Sequence, residues 1–257
     1  MPQRDGVNTV SECEVRQVRS YRSVQIEQAF IAGARAILLC NPHNPLGVPH
    51  DREVLAELAM LAARHDVLVI ADEVHAPLTH HGTTFVPFAT VAVEVGARSI
   101  TVTSASKGWN MAGMKCALMV PSDAVALAVL DRFPEEVASR TSILGLHANV
   151  AAFGDDEWLD ATISRIMHND QLLAGLLSRR LPLVRYRRPT ATYLGWLDFR
   201  DLGFGLDPAE RVLQDARVAL KSGPDFGAAG RGHARINFAC DPSVLEEAVE
   251  RMTAAFG

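Results

Sequence analysis

The chain has 257 residues, 48% hydrophobic and 21% charged, a balance that suits one large globular domain or two smaller ones. Its net charge of -5 argues against a nucleic-acid binder, and the one tight basic cluster, Arg185, Arg187 and Arg188, reads as solvated surface. No stretch approaches the ~18 consecutive apolar residues of a membrane span, and no apolar run near Met1 could serve as a signal peptide, so a cytoplasmic chain without membrane or nucleic-acid partners is expected.

Residues 1–20 are polar and show no clear period. Val24, Ile26, Ala29, Phe30 and Ala34 predict a short helix over 24–34. The unbroken apolar run Ala36–Cys40 reads as a buried parallel strand, stopped by the turn formers of 41–47. Asp51 is placed to cap a helix whose apolar face is Val54, Leu55, Leu58, Ala59 and Ala62. Further buried strands are predicted at 67–71, ending at Asp72, at 100–103, ending at Ser104, and at 117–120. Residues 122–180 read as mostly helical, with a long amphipathic stretch over 157–177. A strand over 192–199, a helix over 208–219, a strand over 235–239 and a closing helix over 242–255 complete the pattern.

Strand, crossover and strand in this order is the signature of an α/β fold with a mostly parallel sheet. The later elements suggest a smaller α+β domain, giving a division into 1–184 and 185–257. Cys13, Cys40, Cys116 and Cys240 form no CxxC and fit neither a metal site nor a disulfide framework, so free thiols in a reducing compartment are expected.

In parallel α/β sheets, ligands gather outside the carboxyl ends of the strands. Three predicted strands deliver polar residues there: Asn44, Asp72, and Ser104 with Lys107. A partly desolvated lysine can form a Schiff base with an aldehyde cofactor. A carboxylate such as Asp72 can pair with a protonated pyridine nitrogen. The Asn44 amide could donate to a phenolate oxygen, and the Ser104 and Ser106 hydroxyls to a phosphate. Arg235 could clamp a carboxylate through two parallel bonds. Taken singly, each has an ordinary reading: a surface lysine, a helix cap, plain Asn-Pro turn chemistry, a surface ion pair. His75, three residues past Asp72, could sit near a ring or merely cap a turn.

As an ordered set, Asn44-Pro45-Leu46-Gly47, Asp72-Glu73-Val74-His75, Ser104-Ala105-Ser106-Lys107 and Arg235-Ile236-Asn237 resemble fold-type-I pyridoxal-phosphate enzymes of the class I/II aminotransferase superfamily. Cys40 to Gly47, Asp72 to His75 and Ser106 to Gly113 are most similar to the PatB/MalY group of cystathionine β-lyases and cysteine-conjugate C–S lyases. Many aminotransferases carry tyrosine where His75 stands, which favours the lyase group. The resemblance implies pyridoxal 5'-phosphate as cofactor, with Lys107 as the lysine that bonds it and as the base for the α-proton. Asp72 would pair with the pyridine nitrogen, and Asn44 would bond the ring oxygen with His75 close by. Ser104 and Ser106 would touch the phosphate, with Lys115 where some relatives place an arginine. Arg235 would hold the substrate carboxylate.

The implied activity is cleavage of cystathionine or another cysteine S-conjugate to a thiol, pyruvate and ammonia, with transamination as the alternative. A homodimer is implied in the same way. Relatives carry a further segment ahead of the region where this chain begins, with a phosphate-cradling turn, an aromatic ring over the pyridine and part of the sheet. On that comparison the large domain is expected to be N-terminally truncated, with exposed sheet edges and weakened cofactor affinity, or to be an inactive remnant. The run Gly227 to Gly232 is read as a loop before the Arg235 strand, not as a replacement cradle.

Overall fold

The computed structural model describes residues 19–257, so Cys13 and nearly all of the polar lead-in lie outside the described residues. These residues form two compact units. One holds Arg19–Met167 together with Thr190–Thr192; the other holds His168–Pro189 and Tyr193–Gly257.

In the first unit, β1 (Ala36–Cys40), β2 (Leu68–Asp72), β3 (Ser99–Thr103) and β4 (Leu118–Pro121) form one sheet in that spatial order. The first three strands run parallel, as their unbroken apolar runs predict. β4 is antiparallel, which the sequence did not indicate. Its register, Leu118 against Thr103, brings residues 116–118 to the carboxyl end of β3.

Helices α1 (Arg19–Ile31), α2 (Arg52–Arg64) and α3 (Phe88–Val95) cover one face of this sheet. On α2, Leu55, Leu58, Ala59, Leu61 and Ala62 form the buried stripe that helical spacing requires. They meet Val69 and Ala71 of β2 and Phe88 and Val91 of α3 in one apolar core. Burial of side chains as large as Leu55 and Phe88, both fully inaccessible, contributes about 2 kcal/mol each. Asp51 takes the N-cap position of α2, but its carboxylate makes no capping bond. Apolar residues stay open on the two outer strands: Leu38 of β1 is 76% exposed, and Leu118, Met119 and Val120 of β4 are also exposed.

After β3 come a single-turn helix, α4 (Ala105–Gly108), and a 3-10 turn at Ala112–Met114. The helical region read over 122–180 resolves into α5 (Ala124–Leu130), α6 (Glu135–Ser139), α7 (Ile143–Ala152) and α8 (Asp156–Arg180). Helix α8 runs from the first unit into the second.

The second unit carries an antiparallel sheet in the order β5 (Arg185–Arg187), β6 (Leu194–Asp198), β8 (His233–Asn237), β7 (Lys221–Ser222). Helices α9 (Pro208–Ala216) and α10 (Pro242–Phe256) belong to the same unit. Leu245, Val249 and Met252 of α10 are buried at helical spacing. The basic cluster read as solvated surface is exposed at all three arginines, with Arg185 paired to Asp201 and Arg188 Nε donating at 2.6 Å to Asp170, a carboxylate 1% exposed. Tyr186 Oη donates to the other Asp170 oxygen at 2.6 Å. The glycine run 227–232 is the loop into β8, as read. Its approach to Gly223 is so close that a Cβ there would lie 2.1 Å from the Gly230 carbonyl oxygen.

Candidate active site

β1, β2 and β3 end side by side, and each end delivers a polar residue. Asp72 closes β2 with Cys40 and Val102 as its register partners on either side. Its peptide is fastened from both neighbours: Asn41 N donates to Asp72 O at 3.0 Å, and Glu73 N to Val102 O at 2.8 Å. The pleat turns successive side chains to opposite faces. Glu73 therefore points into the core, where it is 4% exposed and accepts the Phe88 N–H at 2.7 Å. Asp72 points out, exposed, with one oxygen accepting Val74 N at 3.2 Å. Burial, with Asp72 alongside, pushes the Glu73 carboxyl up to about 7, against the pull of the Phe88 N–H.

Asn44 sits in the loop after β1, where its N–H donates to the Cys40 thiol sulfur at 3.4 Å. The loop closes through Gly47 N to His43 O and His43 N to Val48 O, both 2.7 Å. Asn41, fully buried, ties this loop down: its Nδ2 donates to Val86 O at 3.2 Å, and its Oδ1 accepts His50 N at 3.0 Å. His75 is buried and caps a 3-10 turn at Ala76–Leu78.

Lys107 lies on α4, half-buried, four residues past the end of β3. Ser104 is the N-cap of that turn and accepts Ser106 N at 3.0 Å. It donates its own proton to Cys116 O at 2.6 Å, which leaves Ser106 Oγ as the donor in the 2.6 Å contact between the two hydroxyls. The main chain of the turn is held from α7, where Asn149 Oδ1 accepts Ala105 N at 2.9 Å. Gly108 admits the close approach of the 76–78 turn, since a Cβ there would lie 3.0 Å from Pro77 Cβ. Lys115 is exposed, in the left-handed region at φ 50, on the segment that β4 pairing brings to this same edge.

Asn44, Asp72, His75, Ser104, Ser106, Lys107 and Lys115 thus all belong to the carboxyl-end loops of one sheet. Arg235 belongs to the other unit. It sits half-buried on β8, opposite Trp196 on one side and Lys221 on the other, with its guanidinium 5.1 Å from the centre of the Phe226 ring. The Trp196 ring stacks on His233 at 5.3 Å. Asn41, Glu73, His80 and Asn149, buried polar residues that brace these loops, were not singled out by the sequence.

A parallel sheet ending in a carboxylate, an amide, hydroxyls and an amine defines a class before any name does. Residues 8–252 match the family model for aminotransferase class I and II. The chain is 44% identical over 240 residues to the "Putative cystathionine beta-lyase" of Mycobacterium tuberculosis (strain CDC 1551 / Oshkosh), covering 86% of this chain and 58% of that protein. It is 34% identical over 227 residues to cystathionine beta-lyase PatB of Bacillus subtilis (strain 168), covering 85% and 57%. The crystal structure of a PLP-bound C–S lyase from Staphylococcus hominis, complexed with L-cycloserine, superposes with a TM-score of 0.83 at 27% identity, covering 91% of this chain and 58% of that one. The chain belongs to the class I and II aminotransferase family. It is similar within it to the PatB/MalY cystathionine β-lyases, and it spans less than two thirds of the length of these relatives.

Proposed function

We propose that the chain is the greater part of a pyridoxal-phosphate C–S β-lyase that cleaves cystathionine or a related cysteine S-conjugate. One observation carries the reading: an amide, a carboxylate, two hydroxyls and an amine lie on the segments at the carboxyl ends of three parallel strands within one unit. That donor set fits pyridoxal phosphate group by group. Asn44 would donate to the ring oxygen, and Asp72 would accept the pyridine N–H. Lys107 would bond the aldehyde carbon, with His75 beside the ring. Ser106 donates to Ser104 and would turn that proton to the phosphate, whereas the Ser104 proton is held by Cys116 O. Lys115 would add positive charge without the bidentate fork of arginine.

When bound, the cofactor supplies an electron sink for the pair left on the substrate α-carbon. The chain supplies the rest. The Lys107 amine would take the substrate α-proton onto Nζ. Asp72 would accept the pyridine N–H and so favour the protonated ring. Arg235 would hold the substrate carboxylate. A cysteine S-conjugate and one water then give a thiol, pyruvate and ammonia.

The lyase reading over transamination rests on His75 and on the similarity to cystathionine β-lyases. Incubation of the purified chain with pyridoxal phosphate and cystathionine, without any keto acid, tests it. Thiol and pyruvate released in equal amounts support lyase chemistry, and turnover that requires an added keto acid supports transamination. Absence of both supports a non-catalytic chain.

The same reading takes residues 1–184 as part of the cofactor-binding domain and 185–257 as the small domain. It also takes a second copy of this chain as partner. The face of α7 supports that pairing: Ile143, Leu144 and Val150 are each at least 65% exposed, an apolar surface of the kind that marks a contact. The free thiols Cys40, Cys116 and Cys240 suit a cytoplasmic setting, and none of the described helices is long and apolar enough to cross a membrane.

A further inference from the structure

Residues 190–192 lie far along the chain from the loops around Asn44 and His75, yet they belong to the same unit. Thr190 N and Ala191 N both donate to Gly47 O, at 2.9 and 2.8 Å. Gly47 closes the turn that contains Asn44, through its own N–H to His43 O. On the other side, Thr192 N donates to Leu78 O at 2.8 Å, His80 N donates to Thr190 O at 3.0 Å, and Thr79 bridges Ala191. Leu78 ends the 3-10 turn that His75 caps. Three residues therefore join the turn carrying Asn44 to the turn following His75.

A side chain adds to the join. His80, 5% exposed, lies with Nε2 2.7 Å from Thr192 O. A carbonyl oxygen can only accept, so Nε2 carries the proton. Thr192 is fully buried and held at φ 69, in the left-handed region. A β-branched residue rests there only when its surroundings over-determine it. The His80 bond to Thr192 O, together with Thr192 N to Leu78 O, provides that constraint from both ends of the residue.

We propose that Thr190–Thr192 is a strap that His80 fastens across the loops carrying Asn44 and His75, which makes His80 a positioning residue for the cofactor site. The inference rests on the proposed cofactor role of those two residues. Loss of the His80 donor removes this bond to the Thr192 carbonyl, loosens the strap and frees the Gly47 turn, so that Asn44 no longer holds one orientation. A glutamine at this position carries an amide N–H near the place of Nε2 and restores the bond.

The test compares wild type, His80→Ala and His80→Gln by two measurements. Amide exchange at Thr190, Ala191 and Thr192 is followed in the chain alone, with Val69 and Ala71 of β2 as internal reference. Pyridoxal-phosphate affinity and absorbance band are followed by titration. The strap account expects exchange at the three strap amides to rise about tenfold in His80→Ala while β2 is unchanged, the scale of one lost hydrogen bond. It expects cofactor affinity to fall in parallel, with a shifted band, and both effects to reverse in His80→Gln. Unchanged strap exchange in His80→Ala overturns the fastening. Loosened exchange with undiminished affinity, or loss of β2 protection together with the strap, overturns the positioning role. If wild type takes up no cofactor, the reading of the site fails and the positioning role falls with it. The exchange data, which need no cofactor, separate that failure from failure of the fastening.

Discussion

Asn149 Oδ1 accepts the Ala105 N–H at 2.9 Å, so a side chain from α7 fixes the first turn of the helix that carries Lys107. The same amide donates to Gly145 O at 2.8 Å and is 4% exposed. Asn149→Ala leaves a buried N–H without its acceptor, a loss of about 1–3 kcal/mol. Urea denaturation should show a lowered midpoint, and cofactor uptake should weaken further than the stability loss alone accounts for. An unchanged midpoint would remove the brace from the account.

Gly145 is where α7 meets the chain ahead of β4. A Cβ there would lie 2.4 Å from Met114 O and 3.0 Å from Cys116 Cβ. Helix propensity alone favours Gly145→Ala by about 1 kcal/mol. The clash is with backbone, which cannot swing aside, so overpacking of about 1–3 kcal/mol should win. Thermal denaturation decides the sign: a stabilised variant would mean that α7 shifts freely.

Glu73 makes stability depend on pH. Its carboxyl lies at about 7 in the fold against an ordinary 4.5. Below pH 4.5 both folded and unfolded chains hold the proton. Between pH 4.5 and about 7 the unfolded chain sheds it while the folded chain keeps it, so stability falls as pH rises, and levels off above. The total is on the order of 2–3 kcal/mol. Glu73→Gln keeps an acceptor for Phe88 N and has no proton to lose. Its stability relative to wild type should rise across that window and be level on either side. A difference that does not vary with pH would show that Glu73 is ionised in the fold.

The Asp170 network braces the second unit. Tyr186→Phe removes a 2.6 Å bond to a buried carboxylate, for which about 1.5–3 kcal/mol is the expected loss. Burial and the Asp170 charge together push the Tyr186 phenol above its usual range. Its near-ultraviolet absorbance should therefore show no phenolate at pH values where the exposed tyrosine of an unfolded chain ionises.

What the sequence could reveal depended on local pattern. β1 was legible as a strand from five consecutive apolar residues, but the burial on both faces that such a run predicts is not met: Leu38 is 76% exposed. β5 was not legible: Arg185-Tyr186-Arg187 carries no apolar run and is a strand only through its partner β6. The direction of β4 was equally hidden, since an apolar run reads the same either way. Asn44, Asp72, Ser104 and Lys107 could be picked out because each lies at the end of a strand or within four residues after it. Asn41, His80 and Asn149 act through backbone groups 45, 112 and 44 residues away, and nothing in their own surroundings in the sequence announces such partners.

The chain contains only three lysines, Lys107, Lys115 and Lys221, which makes the central claim open to one direct measurement. The chain is loaded with pyridoxal phosphate, reduced with borohydride and mapped by peptide mass spectrometry. The account predicts a phosphopyridoxyl group on Lys107, abolished in Lys107→Ala with no transfer to the other two. A label that settles on Lys115 or Lys221, or that persists in Lys107→Ala, would contradict it.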